Sequence, residues 1–593
     1  MPTIDFSKQQ FRTIKDKTIA EILVEYLEME GVEYVFGVSG GTIVPFLEAL
    51  RKSSRVRYIM ARHETGAAFM AGMYARLSGR LGVCLSTAGP GATNMITGVA
   101  SAHRDGLPLL AITGQPATHT TGKGAVQEST AFGVNTVDIY AQCCGVSSLV
   151  YDPVVFSQMM ALSLRTALGE HHQAAHLSFP ADVSAHVFPS YQFPQSSSMY
   201  RVLCRGVDRE PLKDAAYLLL TLEKCAILIG DGVPPEATPL VTALAETLSC
   251  PVLSTPEGKG RFPESHPLSL GVYGFAGNPR TKRFLQDEKP DILFVIGSRL
   301  CEWSTESWNP SLFPAQYFIQ LDEDSQNIGR NFPVSVGIVG NLVTAMKVLL
   351  NQMREMLSLD DELQENFLVI GAKREESVMR LKRDTPNLLD PEGYVSDDVP
   401  LKPQRLMNDL GSALESDAII IADAGNAYSW CLHYLAIDPP RRFVIPLGFA
   451  SMGNGAAGVI GAALACPGRQ VVTVTGDGSM LMSGSEIHTA VQYGIPCVWI
   501  ILNDGGWGMV DHGLLALTGH SGAARFPRVD FARLAAAYGA KGFRVTRPGE
   551  LTAALEQARN NPGPSVIDAV IDEREPPPFL ERIKGIMKYA ERN

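Results

Sequence analysis

Short apolar runs alternate along this chain with segments whose apolar residues recur at helical spacing. The apolar runs are rich in Val, Ile and Leu, and glycine or a polar residue closes most of them. Examples are "VEYVFGV", "LGVCLST", "LPLLAIT", "CAILIGD", "DILFVIG", "AIIIAD" and "VVTVTGD". Runs of this length suit buried strands, and the segments between them suit amphipathic helices. The alternation therefore predicts a parallel α/β architecture.

Two weakly patterned segments divide the chain into three blocks. One is the Pro- and Ser-rich "FPSYQFPQSSSMYR" (188–201), and the other is a charged stretch at 358–403. A chain of 593 residues is too long for a single core, so several domains are expected. We predict domains at 1–190, 200–350 and 401–575, a linker with a helix at 351–400, and a tail at 576–593.

Composition narrows the class of protein. The net charge of −11 argues against general binding to nucleic acid. No apolar run is long enough for a membrane span, and the first residues lack the apolar core of a signal peptide. We therefore expect a cytoplasmic protein without a membrane partner. The 10 cysteines form no CxxC pair, and we expect buried, reduced thiols.

Acidic and amide side chains follow two apolar runs in the third block. Asp477 comes after "VVTVTG", and Asn503 and Asp504 end "CVWIILND". Ligands of open α/β sheets bind at the carboxyl ends of strands, where such oxygens suit Mg²⁺ bound to phosphate. Gly478 allows close approach, and Ser479 opens the next helix. The stretch therefore predicts a Mg²⁺-diphosphate clamp, with an aspartate that merely caps a helix as the alternative.

A competing motif lies just upstream. "GNGAAG" (453–458) matches G-x-G-x-x-G after a strand-like run, and Asp477 follows about twenty residues later. Taken alone, this block predicts a nicotinamide-binding domain. That interpretation gives no role to Asn503, to Asp504 or to the first block.

The first block carries a carboxylate at a strand-to-helix junction. Glu64 opens the small-residue helix "MARHETGAAFMAGMYARLSG" (60–79), and a second Gly-rich unit covers 86–115. A buried carboxylate is costly without a partner, although the dipole at a helix N-terminus also stabilises it. The residues alone leave both interpretations of Glu64 open.

A set of motifs now points to one family. In chain order they are "RHETGAAFMAGMYAR", "TAGPGATN", "PLLAITGQ", "QES", "EGKGRFPESHPLSLG", "GFASMGNGAAGVIGAAL" and "GDGS" with "LNDGGWGMV". Over nearly its whole length the chain resembles the thiamine-diphosphate enzymes of the acetohydroxyacid synthase (acetolactate synthase) superfamily. The resemblance implies three doubly wound parallel-sheet α/β domains: pyrimidine-binding, central and diphosphate-binding. It also implies that "GNGAAG" is a turn beside the cofactor.

The resemblance assigns roles to individual residues. Glu64 would hydrogen-bond the aminopyrimidine ring of thiamine diphosphate and so activate the cofactor. Asp477 and Asp504, with the carbonyl of Gly506, would bind Mg²⁺. Substrate contacts would come from Gly40, Gly41 and Gln127. His119, in "ATHTTGKG", is a candidate substrate contact from its position in the sequence, and the family pattern does not assign its role. The remaining cofactor contacts would come from Gly425, Asn426, Ala450, Met452, Gly478, Ser479 and Met509.

Two departures from the synthase pattern bear on the reaction. Gly513 stands where the synthases carry a specificity tryptophan, and "GSRLCEWSTESW" (297–308) differs from their flavin-contacting segment. They put tight FAD binding and acetohydroxyacid synthesis in question. The favoured function is cleavage of a 2-oxo acid followed by transfer of its acyl part to a carbonyl acceptor. A decarboxylase or C–C lyase with the same cofactor is the alternative, and an NAD-dependent oxidoreductase is more distant. The family also implies a homodimer or homotetramer. The roles of His103 and His512 stay open.

Overall fold

The computed structural model describes residues 11–202 and 206–579, which contain three six-stranded sheets. All strand pairs within these sheets are parallel, and helices connect most of the successive strands. The predicted fold class, three doubly wound parallel α/β units, is confirmed.

The first sheet is built from the residues that precede position 181. Its strand order is β4-β3-β5-β6-β8-β7, and β5, β6 and β8 are buried throughout, as expected for a sheet covered on both faces. The elements are β1 Phe11–Ile14, β2 Lys17–Thr18, α1 Ile19–Met29, β3 Tyr34–Gly37, α2 Val44–Lys52, β4 Arg57–Met60, α3 Glu64–Ser78, β5 Gly82–Ser86, α4 Pro90–Arg104, β6 Leu109–Gln115, α5 Thr136–Ala141, β7 Val146–Leu149, α6 Phe156–Leu168, β8 Ala174–Pro180, α7 Ala181–Ser184, β9 Val187–Phe188 and β10 Tyr191–Pro194.

The Pro- and Ser-rich segment after this sheet returns to the start of the described chain. There β10 pairs antiparallel with β1, and β9 with β2. Tyr191 and Phe193 of β10 are buried, so the apolar residues within this segment add to the first core.

The central sheet has the order β13-β12-β11-β14-β15-β16. The elements are α8 Arg209–Thr221, β11 Cys225–Ile229, α9 Thr238–Leu248, β12 Val252–Ser254, β13 Ser269–Val272, α10 Pro279–Arg283, β14 Ile292–Ile296, β15 Tyr317–Asp322, β16 Val336–Val339, α11 Leu342–Leu359 and α12 Asp361–Asp384. The charged bridge predicted from the sequence thus contains the 24-residue helix α12. Arg374 of α12 is buried and donates to carbonyl groups at the ends of α8 and α9.

The third sheet has the order β18-β17-β19-β20-β22-β21. The elements are α13 Pro391–Tyr394, α14 Pro403–Ala413, β17 Ile419–Ala422, α15 Asn426–Tyr434, β18 Arg442–Val444, α16 Asn454–Ala465, β19 Val471–Gly476, α17 Asp477–Ser483, α18 Glu486–Tyr493, β20 Val498–Asn503, α19 Gly508–Thr518, α20 Phe531–Tyr538, β21 Lys541–Val545, α21 Glu550–Arg559 and β22 Ser565–Val570. The domain boundaries given above stay predictions, and the predicted tail lies mostly outside the described residues.

Helices α3 and α16 pack directly against each other and join the first sheet to the third. Their small residues allow a close approach: a Cβ at Gly461 would collide with the backbone of Met70, and one at Gly458 would lie 3.1 Å from Met73 Cβ. Gly458 precedes Gly461 while Met73 follows Met70, so the two helices run antiparallel. The small-residue pattern of 60–79 therefore marks a helix–helix interface.

The cysteine prediction is wrong for one pair. Cys225 and Cys250 form a disulfide with a Cα–Cα distance of 6.1 Å, while the other described cysteines are free. Ile227 of β11 pairs with Val252 of β12, so the two cysteines precede equivalent positions on neighbouring strands. This register brings the thiols together, and spacing in the sequence does not reveal it. Among the described helices, none is long and apolar enough to cross a bilayer.

Candidate active site

Two buried carboxylates meet at the carboxyl edge of the third sheet. Because β19 and β20 are parallel neighbours, Asp477 and Asp504 follow adjacent strand ends. Asp477 is 1% exposed and Asp504 is 7% exposed. Burial raises the pKa of Asp477 to about 6, and burial together with the charge of Asp477 raises the pKa of Asp504 to about 7. Two like charges held in this way favour a cation between them.

Backbone donors hold the Asp477 side chain in place. It accepts hydrogen bonds from Gly478 N (2.8 Å) and Gly505 N (2.7 Å), and the N–H of Gly506 also lowers its pKa. Gly505 has φ of 74°, a conformation that glycine adopts without strain. The turn after β20 therefore folds back over Asp477 and brings Gly506 beside the carboxylate.

The side chain of Asn503 has a structural role, unlike that of its neighbour Asp504. Its amide donates to Asp568 Oδ1 (2.7 Å) and to Val529 O (2.8 Å). The side chains of consecutive residues point to opposite sides of a strand, so the side chains of Asn503 and Asp504 are directed to different surroundings. Asn503 thus braces β20 against β22, and the acidic edge consists of Asp477 and Asp504.

The start of α15 approaches the same edge. Gly425, with φ of 112°, precedes Asn426, whose Oδ1 is buried without a hydrogen-bond partner among the described residues. A Cβ at Gly508 would lie 2.6 Å from Asn426 Nδ2 and would also collide with Asp504. Asn426 and Asp504 therefore converge on Gly508.

The donor set fits a metal-bound diphosphate. Mg²⁺ takes a few protein oxygens and completes its shell with phosphate and water. The N-terminus of α15 supplies free N–H groups of the kind that bind phosphate. Ser479, with its hydroxyl 3.3 Å from Ala424 O, and Gly478, next to Trp507, lie alongside. No group of three or more His, Cys, Asp or Glu in the described chain is arranged to hold a metal, so any cation here would rely on ligands beyond two carboxylates.

Asp423 is a buried acid that the sequence analysis missed. It follows β17 directly, is fully buried, and accepts from Gly453 N (3.2 Å), Ala456 N (3.0 Å) and Thr475 Oγ1 (3.0 Å). Burial raises its pKa to about 6. Its position at the end of "AIIIAD", in the same place as Asp477 after its own strand, was the available signal.

The hydrogen bonds to Asp423 show whether "GNGAAG" can serve as a dinucleotide-binding turn. In a dinucleotide-binding turn, the N–H groups at the start of the helix bind a pyrophosphate. Here the N–H groups of Gly453 and Ala456 are bonded to the protein's own carboxylate. The glycine-rich turn therefore stabilises the protein's own structure. Its N–H groups are not available to bind a pyrophosphate, which argues against a nicotinamide-binding domain.

The turn before α16 carries two predicted cofactor residues. Ala450 has φ of 51°, and Met452 packs, as does Met509, against the core of the third domain. The first domain anchors this turn: Asp105 accepts from Gly448 N (2.7 Å), and the hydroxyls of Ser101 and Ser451 lie 2.8 Å apart.

A second group of predicted residues gathers at the first sheet. Glu64 is 8% exposed and accepts from Asn94 Nδ2 (3.1 Å). A Cβ at Gly91 would lie 3.2 Å from Glu64 Oε1 and 2.8 Å from Thr87 Cγ2, and a Cβ at Gly40 would also collide with Thr87. Gly91 therefore lies beside both Glu64 and Thr87, and Thr87 in turn contacts Gly40.

Three further predicted residues differ in how close they lie to this group. Gln127, with φ of 62°, packs on Gly89 immediately before α4, so it belongs to the group. Gly41 is exposed and begins a short 3₁₀ turn next to Gly40. His119 is exposed in the turn 118–120, which Asp182 holds through Thr118 N (2.9 Å). The structure shows no contact between His119 and Glu64.

The Asp477–Asp504 group lies near the start of α16, because a Cβ at Gly478 would lie 3.4 Å from Met452 Cε, just before this helix. Glu64 begins α3, whereas Met73, nine residues later, is the residue that meets Gly458 near the start of α16. At 1.5 Å per residue, this separates the two levels by about 14 Å along the helix axis. One chain therefore presents the Glu64 group and the Asp477–Asp504 group as two separate halves.

A large cavity is lined by residues from all three domains. Its volume is 1480 Å³, and its lining includes His103, Arg299, Trp308, Asp322 and Ala450. The Nδ1 atom of His103 is buried without a partner among the described residues, and burial lowers the pKa of this histidine. The segment 297–308, which departs from the flavin-contacting pattern, thus borders the cavity through Arg299 and Trp308.

His512 lies close to the acidic edge. Its Nδ1 is 2.8 Å from Gly508 O and 3.4 Å from Asn426 Nδ2, and burial lowers its pKa. His512 therefore contacts the Asn426–Gly508 group, whereas His103 belongs to the cavity.

Three family models match this chain, and together they define its class. The N-terminal TPP binding domain of thiamine pyrophosphate enzymes matches residues 17–134, the central domain 212–349, and the C-terminal TPP binding domain 423–569. These ranges contain Glu64, the central sheet and the Asp477–Asp504 edge in turn. The chain belongs to the thiamine pyrophosphate enzymes, and thiamine diphosphate is its cofactor class.

Several curated proteins similar to this chain are described as acetolactate synthase large subunits. The chain is 33% identical to a probable acetolactate synthase large subunit of Methanococcus aeolicus, over 93% of this chain and 92% of the relative. It is 32% identical to the protein of the same description from Methanocaldococcus jannaschii, over 95% and 93%. It is 30% identical to the acetolactate synthase isozyme 1 large subunit of Escherichia coli, over 95% of each chain. The family predicted from the motifs is confirmed.

Proposed function

We propose that this protein is an acetolactate synthase-like carboligase. It cleaves a 2-oxo acid and transfers the acyl part to a carbonyl acceptor. The observation that carries the proposal is the buried Asp477–Asp504 pair beside Asn426, in a chain similar to acetolactate synthases over nearly its whole length. When bound, thiamine diphosphate supplies a nucleophilic carbon and an electron sink for such reactions.

The third domain would hold the charged end of the cofactor. Asp477, Asp504 and the carbonyl of Gly506 would bind Mg²⁺, and the residues at the start of α15 and α17 would bind the diphosphate: Gly425, Asn426, Gly478 and Ser479. Ala450, Met452 and Met509 would contact the rings. The raised pKa values of the two aspartates support this assignment, because a cation would relieve their repulsion.

The first domain would supply the proton chemistry and part of the substrate pocket. Glu64 would hold a proton at its carboxylate next to the aminopyrimidine, with Asn94 fixing its orientation. The N–H groups at Gly40 and Gly41 would face a substrate oxygen, and Gln127 borders the same space. His119 is proposed as a substrate contact from its sequence position alone.

A complete site requires two chains under this proposal. The separation of Glu64 from Asp477 along the α3–α16 pair supports a cofactor held between the first domain of one subunit and the third domain of another. A homodimer or homotetramer with two-fold symmetry follows. We further propose a cytoplasmic enzyme with the domain boundaries stated above and without tightly bound FAD.

Decarboxylation or C–C lysis without carboligation is the second candidate. It is favoured by Gly513, which replaces the specificity tryptophan of the synthases. A Cβ at Gly513 would meet no atom within 4 Å, so the space beside α19 is open. An open pocket admits water or a proton donor as readily as a second carbonyl compound.

Product analysis tests the proposal. The purified protein is incubated with Mg²⁺, thiamine diphosphate and a panel of 2-oxo acids, with and without aldehyde and ketone acceptors, and products are identified by mass spectrometry. We expect an acetohydroxyacid or acyloin, and we expect Gly513→Trp to narrow the range of acceptors. Release of aldehyde alone with every acceptor would replace the carboligase assignment by a decarboxylase.

A thermal-shift comparison separates the cofactor classes. Thiamine diphosphate with Mg²⁺ is expected to raise the melting temperature of the apoprotein, whereas NAD is not. Stabilisation by NAD alone would contradict the proposed cofactor.

A further inference from the structure

One helix of the third domain forms hydrogen bonds with the turn that precedes Glu64. Helix α18 contacts residues 60–63, which form the end of β4 and its connection to α3. Tyr493 Oη accepts from Met60 N (2.9 Å), and His488 Nδ1 accepts from Arg62 Nε (2.8 Å). Gln492 also bonds the Arg62 guanidinium. Residues of α18 therefore bind the main chain and a side chain of a turn more than 400 positions away in the sequence.

Glu486 makes the innermost contact of this helix. Its side chain is fully buried, and its two oxygens accept from Arg62 N (both 3.1 Å), His63 N (2.9 Å) and Thr489 Oγ1 (2.6 Å). Arg62 and His63 are the two residues immediately before Glu64. The carboxylate thus holds the backbone that sets where Glu64 begins its helix.

Packing leaves this carboxylate little freedom. Gly66, in the first turn of α3, lies so close that a Cβ there would collide with Glu486 Oε1 and lie 2.9 Å from its Cδ. Burial is costly for an acid and raises its pKa, while the hydrogen bonds from Thr489, Arg62 and His63 offset part of that cost. A buried acid with these partners is expensive to keep for stability alone, since an apolar side chain would avoid the desolvation.

We infer that Glu486 is a positioning residue for Glu64. It fixes the two amides before Glu64 and so sets the orientation of the Glu64 carboxylate toward the cofactor. This inference rests on the proposed role of Glu64 and extends it to a residue of another domain in the same chain. It does not make Glu486 a catalytic residue, because Glu486 reaches the reaction only through the 60–63 turn.

Amide hydrogen exchange tests the geometry without any cofactor. In Glu486→Ala the amides of Arg62 and His63 lose their acceptor, so a peptide covering residues 60–66 is expected to exchange faster. Glu486→Gln keeps one acceptor oxygen, and its amide can donate to Thr489, so it is expected to restore most of the protection. Gln492→Ala is the matched control, since Gln492 lies on the same helix but bonds only the Arg62 side chain. Unchanged protection in Glu486→Ala would overturn the inference.

Proton exchange at C2 of bound thiamine diphosphate tests the consequence. A misplacement of about 1 Å can cost up to about a hundredfold in rate, so Glu486→Ala is expected to slow exchange by a factor of this order. Affinity for Mg²⁺ is expected to stay unchanged, because Asp477 and Asp504 are untouched. Glu486→Gln is expected to recover most of the rate. Should Glu486→Ala not fold, Glu486→Asp, which withdraws the carboxylate by one methylene, carries the same expectation at smaller size.

A double-variant cycle distinguishes positioning from a general structural role. If Glu486 acts through Glu64, then Glu486→Ala causes no further loss when Glu64 is already replaced by glutamine. A loss that multiplies with that of Glu64→Gln would overturn the inference. Absence of cofactor-dependent C2 exchange in the wild type would instead refute the proposed function, while the amide-exchange comparison would still decide the role of Glu486.

Discussion

Replacement of Asp504 by asparagine is expected to stabilise the metal-free protein while it abolishes metal binding. Asp504 is 7% exposed, and burial together with the charge of Asp477 raises its pKa from 3.8 to about 7. In the unfolded chain the carboxyl ionises near its ordinary value. At pH 8 the folded protein therefore carries a charge that its surroundings disfavour. An asparagine side chain at this position would have nearly the same shape without the charge.

The size of the effect follows from linkage. The difference between 3.8 and about 7 corresponds to about 4 kcal/mol of destabilisation above pH 7. The folded pKa lies above the unfolded value, so the penalty is absent below pH 4, grows between pH 4 and 7, and is constant above. If all 593 residues unfold together, 4 kcal/mol corresponds to a rise in Tm of about 3 °C.

The assay is thermal unfolding of chelator-treated protein between pH 5 and 8, with and without Mg²⁺ and thiamine diphosphate. The Asp504→Asn variant is expected to gain stability at pH 8, to show a flatter pH profile, and to gain nothing from Mg²⁺. Asp511→Asn is the control: Asp511 is also buried but pairs with Arg525 Nη2 at 2.7 Å, so its loss is expected to destabilise. A lower Tm of metal-free Asp504→Asn at pH 8 would refute the reasoning.

Three other expectations concern activation, assembly and stability. Glu64→Gln is expected to slow C2 proton exchange of the bound cofactor about a hundred- to ten-thousand-fold, with unchanged circular dichroism. Exchange at the wild-type rate would mean that Glu64 only stabilises the N-terminus of its helix. Sedimentation at assay concentration is expected to show a dimer or tetramer, and a fully active monomer would contradict a site shared between subunits. Arg374→Met is expected to lower the stability of the central domain by about 3 kcal/mol or more, because the guanidinium donates to the carbonyls of Leu219, Leu222, Glu223 and Leu248. Denaturant unfolding measures this loss, and Lys373→Met, which removes an exposed pair with Glu223, is expected to cost less than about 1 kcal/mol.

Local patterns were sufficient for the architecture and for part of the site. The apolar runs quoted from the sequence contain strands, and the small-residue segment 60–79 contains α3. Asp477 and Asp504 could be placed together because parallel strands present their carboxyl ends at one edge, a rule that needs only the order of strands and helices. Hydrophobic periodicity and strand-end position are properties of a few neighbouring residues, so the sequence displays them directly.

The tertiary structure decided the features that depend on which distant segments meet. Asn503 and Asp504 are adjacent in sequence, but their roles differ. The packing against β22 shows that the Asn503 amide bonds Asp568, whereas the Asp504 carboxylate belongs to the candidate site. The "GNGAAG" turn matches a dinucleotide motif, and its N–H groups lose that role because Asp423, about thirty residues earlier, occupies them. Cys225 and Cys250 meet through the register of β11 and β12, and Glu486 reaches the amides before Glu64 through the packing of α18. These contacts are set by the burial of whole helices and sheets, a free energy summed over many residues, which no short stretch of sequence contains.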